Sequence, residues 1–126
     1  MINIKLLKEI CETAGAPGFE NRVRSLVLKQ IKNHVDHIEI DNMGNIIALK
    51  KGVDSSKSVM IGAHMDEIGY IVKYIDDRGF IKVQNLGGWL SQSMINQRWV
   101  IRTENKDIIG ISGIKTIHVM TPEDRK

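Results

Sequence analysis

The segment VMIGAHMDEIGY, Val59 to Tyr70, decides how the rest of the chain is read. It opens on a run, Val59 to Ala63, that is apolar on both faces of an extended chain, and then breaks into His64, Asp66 and Glu67. A strand of that kind belongs in the middle of a sheet covered by helices on each side. In open α/β sheets, sites gather outside the carboxyl ends of the strands, which is where His64 stands.

Successive side chains of an extended segment point to opposite faces, so His64 and Asp66 share one face while Met65 and Glu67 share the other. A histidine that holds a metal through one ring nitrogen commonly donates its other N–H to a carboxylate, which fixes the tautomer. Asp66 is spaced for that role. Strand geometry alone leaves an alternative open: a strand-end histidine hydrogen-bonded to a neighbouring acid, with no metal. The same alternation argues against Asp66 and Glu67 as a glycosidase pair, whose carboxyls must face one sugar.

Outward from this segment, the first half is helical and then alternating. Ile4, Leu7, Ile10 and Cys11 recur at helical spacing behind Asn3, a good N-cap, and predict a helix from Asn3 to Ala14. GAPG, Gly15 to Gly18, stops it. Val23, Leu26, Val27, Gln30, Ile31 and Val35 set the period of a second helix, with Arg22, Arg24, Lys29 and Lys32 on its wet side. HIEID, His37 to Asp41, and NIIALK, Asn45 to Lys50, flank Asn42-Met43-Gly44 and predict a β-hairpin; a polar loop from Asp54 to Lys57 follows.

The second half changes character near Gly69. Tyr70 to Ile75 pairs in pattern with Phe80 to Gln84 around Asp76-Asp77-Arg78-Gly79, and Trp99 to Thr103 with Ile108 to Ser112. Hairpins in series suggest a small barrel or sandwich, so Gly69 is a candidate boundary.

The remaining candidates read as structural. His34 and His37 form an H-x-x-H, but it falls at the change from helix to strand and has no further Cys or His nearby, so a solvated face is expected. His118 lies on an expected strand or loop. Trp89 and Trp99, with Gly87-Gly88, fit a small β-core better than a ligand platform. Cys11, the only cysteine, is expected to pack in the core, excludes an intrachain disulfide and fits a reducing cytosol.

Composition bounds the partners. The chain has 126 residues, within single-domain size, and its 18 Lys and Arg against 15 Asp and Glu give +3 with no basic stripe. Nucleic acid, which wants clustered cations, is not an expected partner. No apolar run reaches the roughly 18 residues of a membrane span, and MINIKLLKEI lacks a signal-peptide core, so no membrane partner is expected either.

Taken together, APGFE (Ala16 to Glu20), DNMGNIIA (Asp41 to Ala48), AHMDEIGYIV (Ala63 to Val72), GF (Gly79-Phe80), LGGW (Leu86 to Trp89) and GIKTIHVMTPEDRK (Gly113 to Lys126) make a specific signature. In these segments the chain resembles the N-terminal part of the tetrahedral, or TET, aminopeptidases, the glutamyl and deblocking metallopeptidases of family forty-two. The resemblance implies a cytoplasmic enzyme that uses two divalent metal ions, commonly zinc or cobalt, to remove N-terminal residues from peptides. It implies an α/β fold, with residues 1–68 as the N-terminal part of an α/β/α catalytic domain. Residues 69–126 would be part of an inserted β-barrel that helps build dimers and then dodecamers. Carried over by position, His64 corresponds to a metal ligand and Asp66 to the catalytic carboxylate that orients it.

In relatives of this kind the bridging aspartate, the adjacent glutamates and the other ligands lie beyond the position of Lys126. One imidazole does not hold two cations, since catalytic zinc generally takes three protein ligands. The expectation is therefore the N-terminal segment of a two-metal aminopeptidase, inactive alone and not retaining its metals. The alternative is a non-catalytic assembly module derived from such a peptidase.

Overall fold

The fold is known from a computed structural model, which describes residues 3–54 and 56–123. Two helices come first, α1 (Ile4–Glu12) and α2 (Asn21–Ile31). Three antiparallel hairpins follow: β1 (His37–Ile40) with β2 (Ile46–Leu49), β3 (Gly69–Ile75) with β4 (Ile81–Leu86), and β5 (Arg98–Arg102) with β6 (Asp107–Ile111). Each hairpin is its own two-stranded sheet among the described residues. The chain divides into two compact units, Met1–Gly87 and Gly88–Lys126.

The elements form where local chemistry favours them. Asn3 caps α1 by accepting the Leu6 N–H at 3.1 Å, and the helix ends two residues short of the expected Ala14. The α2 stripe buries Val23 and Leu26, the buried apolar side chains among the described residues. That helix ends at Ile31 and continues as a turn through His34, not to Val35.

Two of the three hairpins use the same turn chemistry. Asp41 Oδ1 accepts from the N–H of Met43 at 2.9 Å and of Asn45 at 2.8 Å, while Gly44 closes the turn at φ 86°. Asp76 Oδ1 accepts from Arg78 N–H at 3.0 Å and Phe80 N–H at 2.8 Å, with Gly79 at φ 84°. An aspartate that bonds the backbone two and four residues on, followed by a glycine in the left-handed region, specifies the turn from within the loop. The third turn uses Thr103, whose Oγ1 donates to Lys106 O at 2.6 Å.

Three expectations need correction. Val59 to Ala63 forms no strand among the described residues, and Val59, Met60 and Ile61 are 88%, 95% and 91% exposed. Apolar sequence on both faces marks what a strand needs; burial also requires strands paired on either side, and no described strand pairs with it. Cys11 is exposed for the same reason, because the α1 stripe is uncovered and Ile4 and Leu7 are themselves exposed. Arg24 is not on the wet side of α2: its Nε donates to Gly44 O at 2.7 Å and its Nη1 to Asn21 Oδ1 at 2.6 Å. A guanidinium satisfies more than one acceptor in a fixed geometry, so the β1–β2 turn draws it inward. His118 lies on a short 3-10 turn, Ile117–Val119, the loop and not the strand of the two settings expected for it.

The β3–β4 hairpin falls in the first unit although the elements change character at Gly69. Gly69 passes so near Ala16 that an added Cβ would sit 3.1 Å from the Ala16 methyl, and Gly87 crowds Ile68 in the same way at 2.7 Å.

Replacing Gly44 by alanine is expected to cost roughly 1–2 kcal/mol, since a side chain there is strained at positive φ and meets the Arg24 guanidinium. Urea unfolding would read the loss as a lowered midpoint. The Asp41 carboxyl is held below its ordinary 3.8, first by the Asn45 side chain and then by backbone N–H groups. A depressed folded value stabilises above the unfolded value and is lost as pH falls through the folded one. The amide shifts of Met43 and Asn45 are therefore expected to hold steady from neutral pH to about pH 4 and to move toward unfolded positions below it.

Candidate metal-ligand corner

His64 and Asp66 meet as their spacing predicts. His64 Nδ1 lies 2.9 Å from the backbone oxygen of Asp66 and 3.1 Å from its Oδ1. A backbone carbonyl only accepts, and so does an ionised carboxylate, so Nδ1 carries the ring proton and donates to both. The lone pair then belongs to Nε2. The imidazole is 84% exposed and the Asp66 side chain 44%, which leaves Nε2 open to an incoming ligand.

Glu67 bonds a different partner, Gly15. Its N–H donates to Gly15 O at 2.8 Å, and its Oε1 accepts the Gly15 N–H at 3.2 Å. Gly15 is buried, and a Cβ on it would stand 2.7 Å from Val23 Cγ2 and 3.4 Å from Met65 O. The linker after α1 is thus wedged between α2 and the segment that carries His64. Sequence reasoning took Gly15 only as a helix stop and used Glu67 only to reject a sugar site. The signal for their pairing was weak, because 52 residues separate them.

Beside this corner lies a cavity of about 330 Å³, with Val27, Ile46 and Ile61 on its apolar wall and Arg24, Asn45 and His64 on its polar side. Glu20 also lines it, 4.0 Å from Arg24 Nη2, while accepting the Gly18 N–H at 2.7 Å.

His34 is exposed on the turn after α2 and His37 exposed at the start of β1, solvated as expected. Trp89 and Trp99 pack edge to face, with centroids 5.6 Å apart, and Trp99 Nε1 donates to Ser112 Oγ at 2.9 Å. Both are half-buried and anchor the second unit, as a β-core requires. Among the described residues no three His, Cys, Asp or Glu side chains converge to hold a metal ion. His64 therefore fits one ligand position, and the donors among the described residues do not by themselves fit a catalytic metal centre.

With that geometry established, comparison with known proteins fixes the kinship. The family model described as M42 glutamyl aminopeptidase matches residues 44–126. The chain belongs to that family. It is 38% identical over 120 residues to the lysyl aminopeptidase of Pyrococcus furiosus, across 94% of this chain and 34% of that one. Among solved structures, an aminopeptidase of the archaeon Desulfurococcus kamchatkensis superposes with a TM-score of 0.88 at 39% identity, covering 94% of this chain and 33% of its own. The TET1 peptidase of Pyrococcus horikoshii, which can assemble into a tetrahedron or a large octahedral shell, superposes with a TM-score of 0.80 at 28% identity, covering 98% and 36%. The chain thus spans about a third of the length of the relatives it matches. Members of the M42 family are metal-dependent hydrolases.

Replacing Gly15 by alanine is expected to destabilise the first unit by roughly 1–3 kcal/mol, because the new methyl group would overlap Val23. Thermal unfolding followed by circular dichroism would register it as a lowered Tm, with the wild-type value retained in Gly62→Ala as a control, since a Cβ there meets open space.

Proposed function

We propose that this chain is the part of a two-metal aminopeptidase that supplies one corner of the metal site. The observation that carries this reading is the His64–Asp66 contact: the imidazole donates from Nδ1 and presents Nε2 outward, within the segment matched by the M42 family. In this reading His64 is a ligand to one divalent ion, zinc or cobalt. Asp66 is the carboxylate that fixes its tautomer and raises its basicity. The metals would supply Lewis acidity toward the scissile carbonyl of a peptide's first bond.

The other ligands and the general base come, in this proposal, from the two-thirds of the family's length that this chain does not span, and the 126 residues alone do not hydrolyse peptides. Residues 1–68 belong to the α/β catalytic domain and residues 69–126 to an inserted β-barrel. The complete protein is cytoplasmic and associates through that barrel into dimers and larger shells, by analogy with the neighbour that forms a tetrahedron or octahedral shell.

A second reading, a non-catalytic assembly module, is favoured by one observation: Val59 to Ile61 present apolar side chains to solvent on a segment that joins no sheet among the described residues. Such a segment invites association with another strand.

The purified chain is expected to leave aminoacyl-nitroanilides intact and to retain no zinc or cobalt after exhaustive dialysis, as read by plasma mass spectrometry. Chelator-sensitive hydrolysis, lost in His64→Ala, would show instead that the site is complete. A metal content near two ions per chain would say the same.

A further inference from the structure

We propose that Glu67 is the positioning residue of the His64–Asp66 corner. Its clamp on Gly15 holds the segment in the conformation that lets Nδ1 donate to Asp66 and leaves Nε2 as the open nitrogen. The proposal rests on the reading of His64 as a ligand but concerns a residue that takes no part in ligation.

The geometry supplies the argument. Glu67 makes two hydrogen bonds to one residue, from its own N–H to Gly15 O at 2.8 Å and from the Gly15 N–H to its Oε1 at 3.2 Å. Two bonds to a single residue fix both position and rotation about the segment axis, whereas one would leave a hinge. Gly15 in turn is closely packed, since a Cβ on it would stand 2.7 Å from Val23 Cγ2 and 3.4 Å from the Met65 carbonyl. Its N–H is buried, and a buried amide without an acceptor is costly. The carboxylate meets that demand with a charge-assisted bond.

Chain continuity then transmits the constraint: Asp66 is joined directly to the pinned residue, and His64 is two residues before it. The imidazole reaches both the backbone oxygen and Oδ1 of Asp66, and this double acceptor depends on the backbone torsions between the two residues. Segment 59–63 is exposed and unpaired, so it offers His64 no comparable restraint from the N-terminal side. Among the described residues, the restraint on the corner comes from Gly15 through Glu67.

The test compares Glu67→Gln, which keeps an oxygen acceptor of the same reach, with Glu67→Ala, which removes it. The readout is the His64 ring, observed by proton–nitrogen correlation in the 126-residue chain without metal or substrate, together with exchange of the Gly15 amide. Wild type and Glu67→Gln are expected to show the Nδ1-protonated tautomer and a protected Gly15 amide. Glu67→Ala is expected to show a mixture of tautomers and Gly15 exchange faster by roughly tenfold, the scale of one lost bond to a charged group. A merely structural residue would lower Tm without altering the ring tautomer.

An unchanged tautomer in folded Glu67→Ala would overturn the proposal. So would a Glu67→Ala chain that loses the β1–β2 and β3–β4 shift dispersion, because Glu67 would then hold the fold and not the corner. The tautomer is read without peptidase activity, so a negative result leaves the ligand role of His64 standing. Conversely, failure of the peptidase reading is detected by metal content and hydrolysis, not by the ring.

Discussion

Both backbone groups of Gly15 are committed to one residue 52 positions away, and the first unit is organised around that commitment. A backbone position with no room for a side chain sits between Val23 of α2 and the segment that follows Val59 to Ala63. Helix, linker and candidate site are thereby held in a fixed relation by two hydrogen bonds and one close approach. The energetics are those of satisfaction more than of area: with Val23 and Leu26 as the buried apolar side chains, directional contacts carry an unusual share of the specificity.

Arg24 makes a second tie of the same kind. Its guanidinium accepts no bonds and must find acceptors, and it finds them in the Gly44 carbonyl and Asn21. The result fastens α2 to the β1–β2 turn, next to the cavity that His64 lines. Glycine at position 44 serves both ends of that contact, as the left-handed residue of the turn and as the place where the long side chain passes over the backbone.

What the sequence made legible was the local chemistry. The period of Val23 and Leu26, the cap at Asn3, and the Asp-x-x-Gly turns at Asp41 and Asp76 each lie within a few residues, so both helices and all three hairpins are found within a few residues of their expected limits. His64 and Asp66 were legible for the same reason, being two residues apart. The Gly15–Glu67 link was not, because nothing in a local pattern says which distant amide a carboxylate will meet. The burial of Val59 to Ala63 and of Cys11 was misjudged because an apolar face records a requirement, while its fulfilment depends on neighbours that the described residues do not include. Arg24 was misassigned because its helical position alone places it among polar neighbours.

The exposed segment from Val59 to Ala63 has a meaning of its own in a relative of peptide-cleaving enzymes. Endoproteases take their substrates as stretched chain, with main-chain amides free to pair along the cleft, and an exposed stretch outside any described sheet lies just before His64. As it stands, this chain therefore offers other proteases a preferred cutting point at the threshold of its own candidate site. Covering that stretch with a neighbouring strand would complete a sheet and at the same time remove the cutting point, so assembly and resistance to degradation would be acquired in a single event.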